Sequence, residues 1–247
     1  MAPRLFHILL CGLLLAASAQ ACAAGQNGMS RAAVYRQAGL LAEAGRGLFV
    51  DPALSASGKL SCASCHDPAH AYGPPNALAV EPGGKDMRQL GLRAVPSLRY
   101  MQATPQFTEH YYESDDEGDA SIDNGPTGGL TWDGRVDRGR DQARLPLLSP
   151  FEMANDSPAA VVARVRKSAA AGKLRQALGA SVLANTESAF DAILQALEAF
   201  EQRHTEFHPF SSKYDDFLAG RTKLTAPEAR GLALFNDPAK GNCAHCR

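Results

Sequence analysis

The sequence predicts a mainly α-helical protein whose helices are joined by long irregular loops. Three observations point there: apolar residues recur at spacings of three and four in several stretches, alternating strand patterns are scarce, and the span from 67 to 155 is rich in Gly, Pro, Asn and Asp. Loops of that extent need something besides a large core to hold them, and a bound cofactor would serve. The chain has 247 residues, 45% hydrophobic and 21% charged, with 22 Gly and 15 Pro, the make-up of a globular protein. Lys and Arg number 25 against 26 Asp and Glu. No long basic run offers the footprint that a phosphate backbone needs, so nucleic acid is not an expected partner.

Taken in order, the chain opens with Arg4 and the apolar run Leu5 to Ala17, followed by small residues in which Ala17-Ser18-Ala19 and Ala19-Gln20-Ala21 fit a cleavage pattern. Residues 1–24 therefore read as a secretory signal peptide. The run is short for crossing a bilayer, so export without a lasting membrane anchor is expected. The residues before Cys22 lack the large aliphatic residue that usually marks a lipoprotein site. The first helix carries Val34, Ala38, Leu41, Ala44 and Leu48 on one face and runs toward Phe49. A second opens at the cap Ser157-Pro158, turns Val161, Val162 and Val165 inward, and is expected to end at Gly172. The third places Phe190, Ile193, Leu194, Leu197 and Phe200 on one stripe. The fourth starts at the capping box Thr225-Ala226-Pro227-Glu228 and is expected to bury Leu232 and Phe235.

Cys62-Ala63-Ser64-Cys65-His66 is the attachment pattern of c-type haem. Two thiols at that spacing add to the two vinyl groups, and the adjacent imidazole reaches the iron as its proximal ligand. A redox dithiol, a disulfide or half of a zinc site are the competing readings, and each fits a different context better. The elements around this motif recur. Arg46-Gly47-Leu48-Phe49 and Asp51-Pro52-Ala53 lead to the first Cys pair, and Arg230-Gly231-Leu232, Phe235 and Asp237-Pro238-Ala239 lead to Cys243-Ala244-His245-Cys246. The expectation is thus of cytochrome c-like haem domains in tandem, one at 28–155 and the start of a second at 156–247. Arg247 stands where the second proximal His would fall, and a guanidinium is no neutral nitrogen ligand. The second domain therefore reads as incomplete, interrupted at its haem motif.

From about Leu41 to Cys246 the sequence resembles the bacterial di-haem cytochrome c peroxidases together with MauG and its relatives. The resemblance rests on the first haem motif with Asp67-Pro68 after it, Arg93 with Pro96-Ser97-Leu98, Trp132-Asp133-Gly134-Arg135, and Gln142, Pro146, Pro150 and Glu152-Met153. It continues through Ala199-Phe200-Glu201, Gly220 and Arg230-Gly231 to the second Cys pair. It implies that Glu152 is the distal acid–base group for peroxide, that Gln142 holds the bound ligand, and that Pro146 covers the distal face. It further implies that Trp132 passes electrons between two haems. Arg93 and Arg135 become candidates for the haem propionates, since Arg offers carboxylates a planar fork. Read without the resemblance, Gln142 and Pro146 are loop residues, Glu152 a helix-entry acid, Trp132 a packed aromatic and the two arginines surface charges.

The activity so implied is a periplasmic reduction of hydrogen peroxide to water, with electrons from a small cytochrome or cupredoxin. No His occurs between Ala71 and Glu109, where reductively activated members carry a loop His, so the first haem is expected to be five-coordinate without prior reduction. That departure leans toward a MauG-like oxidase that modifies a partner protein. A monohaem electron-transfer cytochrome with Met87, Met101 or Met153 as sixth ligand and an inactive fragment are the other readings. Ala94 follows Arg93 where relatives commonly carry Asn near a calcium ion, which argues against calcium. The acidic stretch from Glu113 to Asp123 reads as a solvated loop or as a docking site for a basic donor.

Overall fold

The computed structural model describes residues 29–112 and 121–246. The signal segment with Cys11 and Cys22, most of the acidic stretch and Arg247 lie outside the described residues. In chain order the elements are α1 (Arg31–Phe49), α2 (Cys62–Cys65), the short strands β1 (Pro82–Gly83) and β2 (Gln89–Leu90), α3 (Gly139–Leu148), α4 (Pro158–Val165), α5 (Ala170–Leu178), α6 (Thr186–Glu201), α7 (His204–Phe207), α8 (Lys213–Leu218) and α9 (Ala226–Asn236). Among the described residues no helix is long and apolar enough to cross a membrane.

The core forms where α1 crosses α6 and α5, with α3 and α4 packed on the other side of α6. Ser30 starts α1 by accepting a hydrogen bond from the Ala33 N–H, and Asn185 starts α6 by accepting from those of Glu187 and Ser188. Ala42, Ala44, Gly45, Leu48 and Phe49 form the buried face of α1. The stripe Phe190, Ile193, Leu194, Leu197 and Phe200 of α6 is buried as its spacing predicts. Side chains such as Leu48 and Phe49, fully out of water, each stabilise the fold by roughly 1.5–3 kcal/mol. Gly45 sets the closeness of the crossing: a Cβ there would lie 1.8 Å from the Ala196 carbonyl oxygen, so any side chain would force the helices apart. The core draws on residues from both sides of 155, running from Ala44 to Phe207.

Two expectations from the sequence are corrected. The helix opened by Ser157-Pro158 stops at Val165, and Gly172 sits inside a separate helix, α5, that ends at Gly179 with φ +100°. Gly172 has open space around it, so it needs no special backbone and terminates nothing. Helix α9 has its capping box, in which the Thr225 N–H and hydroxyl both donate to Glu228, yet it buries no residue: Leu232 is half-buried and Phe235 is 41% exposed. Its apolar face is not buried by any described element.

Asn155 joins three pieces of the frame. Its buried side chain donates to the carbonyls of Leu54 (3.0 Å) and Leu147 (2.9 Å) and accepts from Arg164 Nε (3.0 Å). Asn155→Ala removes the side-chain donor to the Leu54 carbonyl and the acceptor of Arg164 Nε, the Leu147 carbonyl keeping the residue-155 N–H, and is expected to lower stability by about 2–3 kcal/mol. The urea unfolding midpoint checks this, and an unchanged midpoint would contradict it.

Candidate haem site

Helix α2 is one turn long and exists to present two thiols. Its start is fixed by a serine pair, Ser61 and Ser64, in which the Ser61 N–H donates to the Ser64 hydroxyl at 3.0 Å and the hydroxyls lie 3.1 Å apart. Cys62 and Cys65 are free, partly buried, and packed against the core. Burial pushes the Cys62 thiol up to about 12, helped by the charges of Glu201 and Glu152, and the Cys65 thiol up to about 11, helped by Glu81 and Glu152. Both therefore stay as neutral thiols.

His66 closes α2, and its Nδ1 lies 3.0 Å from the Tyr72 carbonyl oxygen. A carbonyl only accepts, so Nδ1 carries the proton and Nε2 keeps its lone pair. Burial lowers the His66 pKa, against the raising effect of the Tyr72 and Pro96 carbonyls, and so favours the neutral imidazole that a metal needs. Two further atoms of this region are buried without a hydrogen-bond partner, Arg99 Nε and Glu81 Oε1. Two thiols, an oriented imidazole with a free nitrogen and an arginine whose Nε is buried without a partner suit an attached haem with anionic propionates.

Helix α3 places Gln142 and Pro146 one turn apart on the same face. Pro146 has no N–H, so it takes away the helical partner of the Gln142 carbonyl. Its own carbonyl accepts from Met153 (3.1 Å), and the Ser149 carbonyl accepts from Glu152 (3.1 Å) and Ala154 (2.9 Å), which turns the chain back at the end of α3. The β1–β2 hairpin braces this turn. The Gly84 N–H donates to the Glu152 carbonyl at 2.8 Å, and a Cβ on Gly83 would come 2.3 Å from the Phe151 oxygen. Water reaches one side of Glu152 while neighbouring chain crowds the other. The crowding raises its carboxyl pKa, opposed by a hydrogen bond with Ser149. The Glu152 carboxylate lies near enough to both thiols for its charge to raise their pKa.

Trp132 stands apart from the core: the residue is 62% exposed, and its Nε1 donates to the Ala94 carbonyl at 2.8 Å. Arg93 (3.2 Å) and Arg135 both pair with Asp133, whose carboxyl they hold well below the usual range. Arg99, whose Nε is buried without a hydrogen-bond partner, is a residue that sequence reasoning did not single out. Glu81, Tyr72 and Gly83-Gly84 were likewise missed, because their roles come from contacts far along the chain. Glu201 had a signal, as it lies four residues after Leu197 on the apolar stripe of α6. Cys243 is exposed, with its Sγ 3.4 Å from the Gly241 carbonyl, and Cys246 falls in the same turn, Cys243–Cys246, after α9. His70 and His110 are paired with Asp67 and Asp123 at the surface.

Residues 41–223 match the family model of di-haem cytochrome c peroxidase. The methylamine utilization protein MauG of Paracoccus denitrificans is 42% identical over 211 residues, which cover 83% of this chain and 50% of that protein. The cytochrome c551 peroxidase of Nitrosomonas europaea is 30% identical over 210 residues, covering 83% of this chain and 51% of the other. Among solved structures, the diheme peroxidase BthA of Burkholderia thailandensis superposes with a TM-score of 0.70 at 38% identity, over 82% of this chain and 48% of that one. The chain thus spans about half the length of the curated relatives it matches.

Proposed function

Because the chain belongs to the di-haem cytochrome c peroxidase family, we propose that it forms the peroxide-handling part of a periplasmic di-haem oxidoreductase, reducing hydrogen peroxide to water with electrons from a small cytochrome or cupredoxin. One observation carries the reading: a single turn presents Cys62 and Cys65, His66 follows with its Nδ1 held at the Tyr72 carbonyl, and the charge of Glu152 reaches both thiols. Cys62 and Cys65 would hold the haem covalently, and His66 Nε2 would bind its iron. A haem so held would supply the electrons for cleaving the O–O bond.

The remaining work falls to side chains. Hydrogen peroxide, two electrons and two protons give two waters, so a group must take a proton from one peroxide oxygen and deliver it to the other. Glu152 suits that shuttle, having a carboxyl pKa raised toward the working pH. Gln142 would orient the bound peroxide by hydrogen bonding, and Pro146, with no donor or acceptor in its side chain, would keep the distal face clear. Trp132, tethered at Ala94, is the proposed stepping point toward a second haem, which Cys243 and Cys246 would attach.

The 42% identity to a MauG and the lack of any His from 72 to 108 support a second reading, a MauG-like oxidase acting on a partner protein. A pyridine haemochrome assay joined to peroxide turnover tests both. The expected result is covalent haem lost on Cys62→Ser with Cys65→Ser, and peroxide-dependent oxidation of a reduced cytochrome by the unaltered protein. Haem-loaded protein that consumes no peroxide would overturn the assignment. Consumption without cytochrome oxidation would favour the oxidase.

A further inference from the structure

The carbonyl that holds His66 belongs to an unusually placed residue. Ala71 and Tyr72 both have left-handed backbone angles, φ 56° and 58°, a region costly for residues other than glycine. Two such residues in succession persist only if their surroundings hold them. At Tyr72 the holding elements are explicit. Its side chain is buried, and its ring stacks on Phe207 with centroids 4.1 Å apart and meets Phe49 edge-on at 5.8 Å. Its hydroxyl donates to Glu206 Oε2 at 3.0 Å. Glu206 in turn pairs with Arg46 of α1 and, at 3.3 Å, with Arg203.

One residue therefore connects the imidazole to an ion-paired carboxylate far along the chain: its main chain accepts from His66, and its side chain donates to Glu206. We propose that Tyr72 is a positioning residue for His66, and that the Tyr72–Glu206 hydrogen bond, anchored by Arg46 and Arg203, sets how strongly the axial imidazole donates to iron. The inference rests on the reading of His66 as the haem ligand. Hydrogen bonding from Nδ1–H to a carbonyl raises imidazole basicity, which stabilises ferric over ferrous iron. A phenylalanine would keep the ring contacts and lose the tie to Glu206. The carbonyl, which also accepts from the Leu98 N–H at 3.2 Å, would then be held less firmly against His66.

The test compares haem-loaded wild type, Tyr72→Phe and Glu206→Gln by redox titration, and by the iron–imidazole stretching frequency of the ferrous form. For Tyr72→Phe the expected result is a change of about tenfold in the ferric/ferrous equilibrium in favour of ferrous, about 59 mV for one electron, with a lowered stretching frequency and unchanged haem content. Glu206→Gln, which keeps an oxygen to accept from Tyr72, is expected to move both readouts the same way by less. An unchanged potential and frequency in Tyr72→Phe would overturn the proposal. A wild-type chain that binds no haem would defeat the functional reading instead. The decision would then fall to haem-free protein, where the His66 Nδ1–H proton should be protected from exchange in wild type and lose protection in Tyr72→Phe. Equal protection would overturn the inference.

Discussion

Glu152→Gln is expected to lower kcat/KM for hydrogen peroxide by 10²–10⁴-fold, roughly 3–5 kcal/mol in the barrier, with haem content and absorption spectrum unchanged. Glutamine matches glutamate in size and can still hydrogen-bond to Ser149, so the turn after α3 and its brace by Gly84 should survive. What it cannot do is accept a proton from one oxygen and return it to another. The pH profile adds a second check. Glu152 must be ionised to take the first proton, and its pKa lies above the ordinary 4.5, so the wild-type rate should climb as pH rises through that raised value. The variant should lose this limb. Turnover within threefold of wild type, or an unaltered pH limb, would remove Glu152 from the acid–base role.

The second large effect concerns stability. Glu201 ends α6 on its apolar side, and burial, with a smaller push from Glu198, raises its carboxyl pKa to about 8 from an ordinary 4.5. Below about 4.5 the carboxyl is protonated in folded and unfolded chains alike, and it costs nothing. Between about 4.5 and about 8 the unfolded chain has released a proton that the folded chain still holds. Stability therefore falls as pH rises across that window, by up to about 1.4 kcal/mol per pH unit and roughly 3–5 kcal/mol in all. Glu201→Gln should match wild type near pH 4 and exceed it by that amount near pH 8. Urea unfolding at both values decides the matter, and parallel pH dependences would contradict the assignment.

The helices α4 and α6 were legible because each writes its buried face locally, as in Val161, Val162 and Val165 behind a Ser-Pro cap, whereas of the face read on α1 only Ala44 and Leu48 are buried and Val34 and Ala38 are exposed. The attachment motif was legible for the same reason: five consecutive residues hold both thiols and the imidazole. What depended on distant partners was not. Tyr72 reads as an ordinary aromatic until Glu206 is brought to its hydroxyl, and Arg99 as a surface charge until its Nε is found buried without a partner. Phe235 was expected inside because its spacing matched that of a buried helix face. The spacing was right for the helix, but an amphipathic pattern states only what a face needs, and nothing described supplies the cover. Arg93 and Arg135 illustrate the converse, since Asp133, adjacent to the tryptophan, already engages both.

Trp132 has one more consequence. It is the chain's one tryptophan, its indole N–H is tethered to the Ala94 carbonyl, and its ring faces water. The protein thus carries a single built-in fluorophore with a fixed address. Emission from a water-exposed indole is red-shifted and overlaps the intense near-ultraviolet absorption band of haem, so its brightness will fall as haem is acquired. Anything that settles on that surface will shift its colour toward the blue.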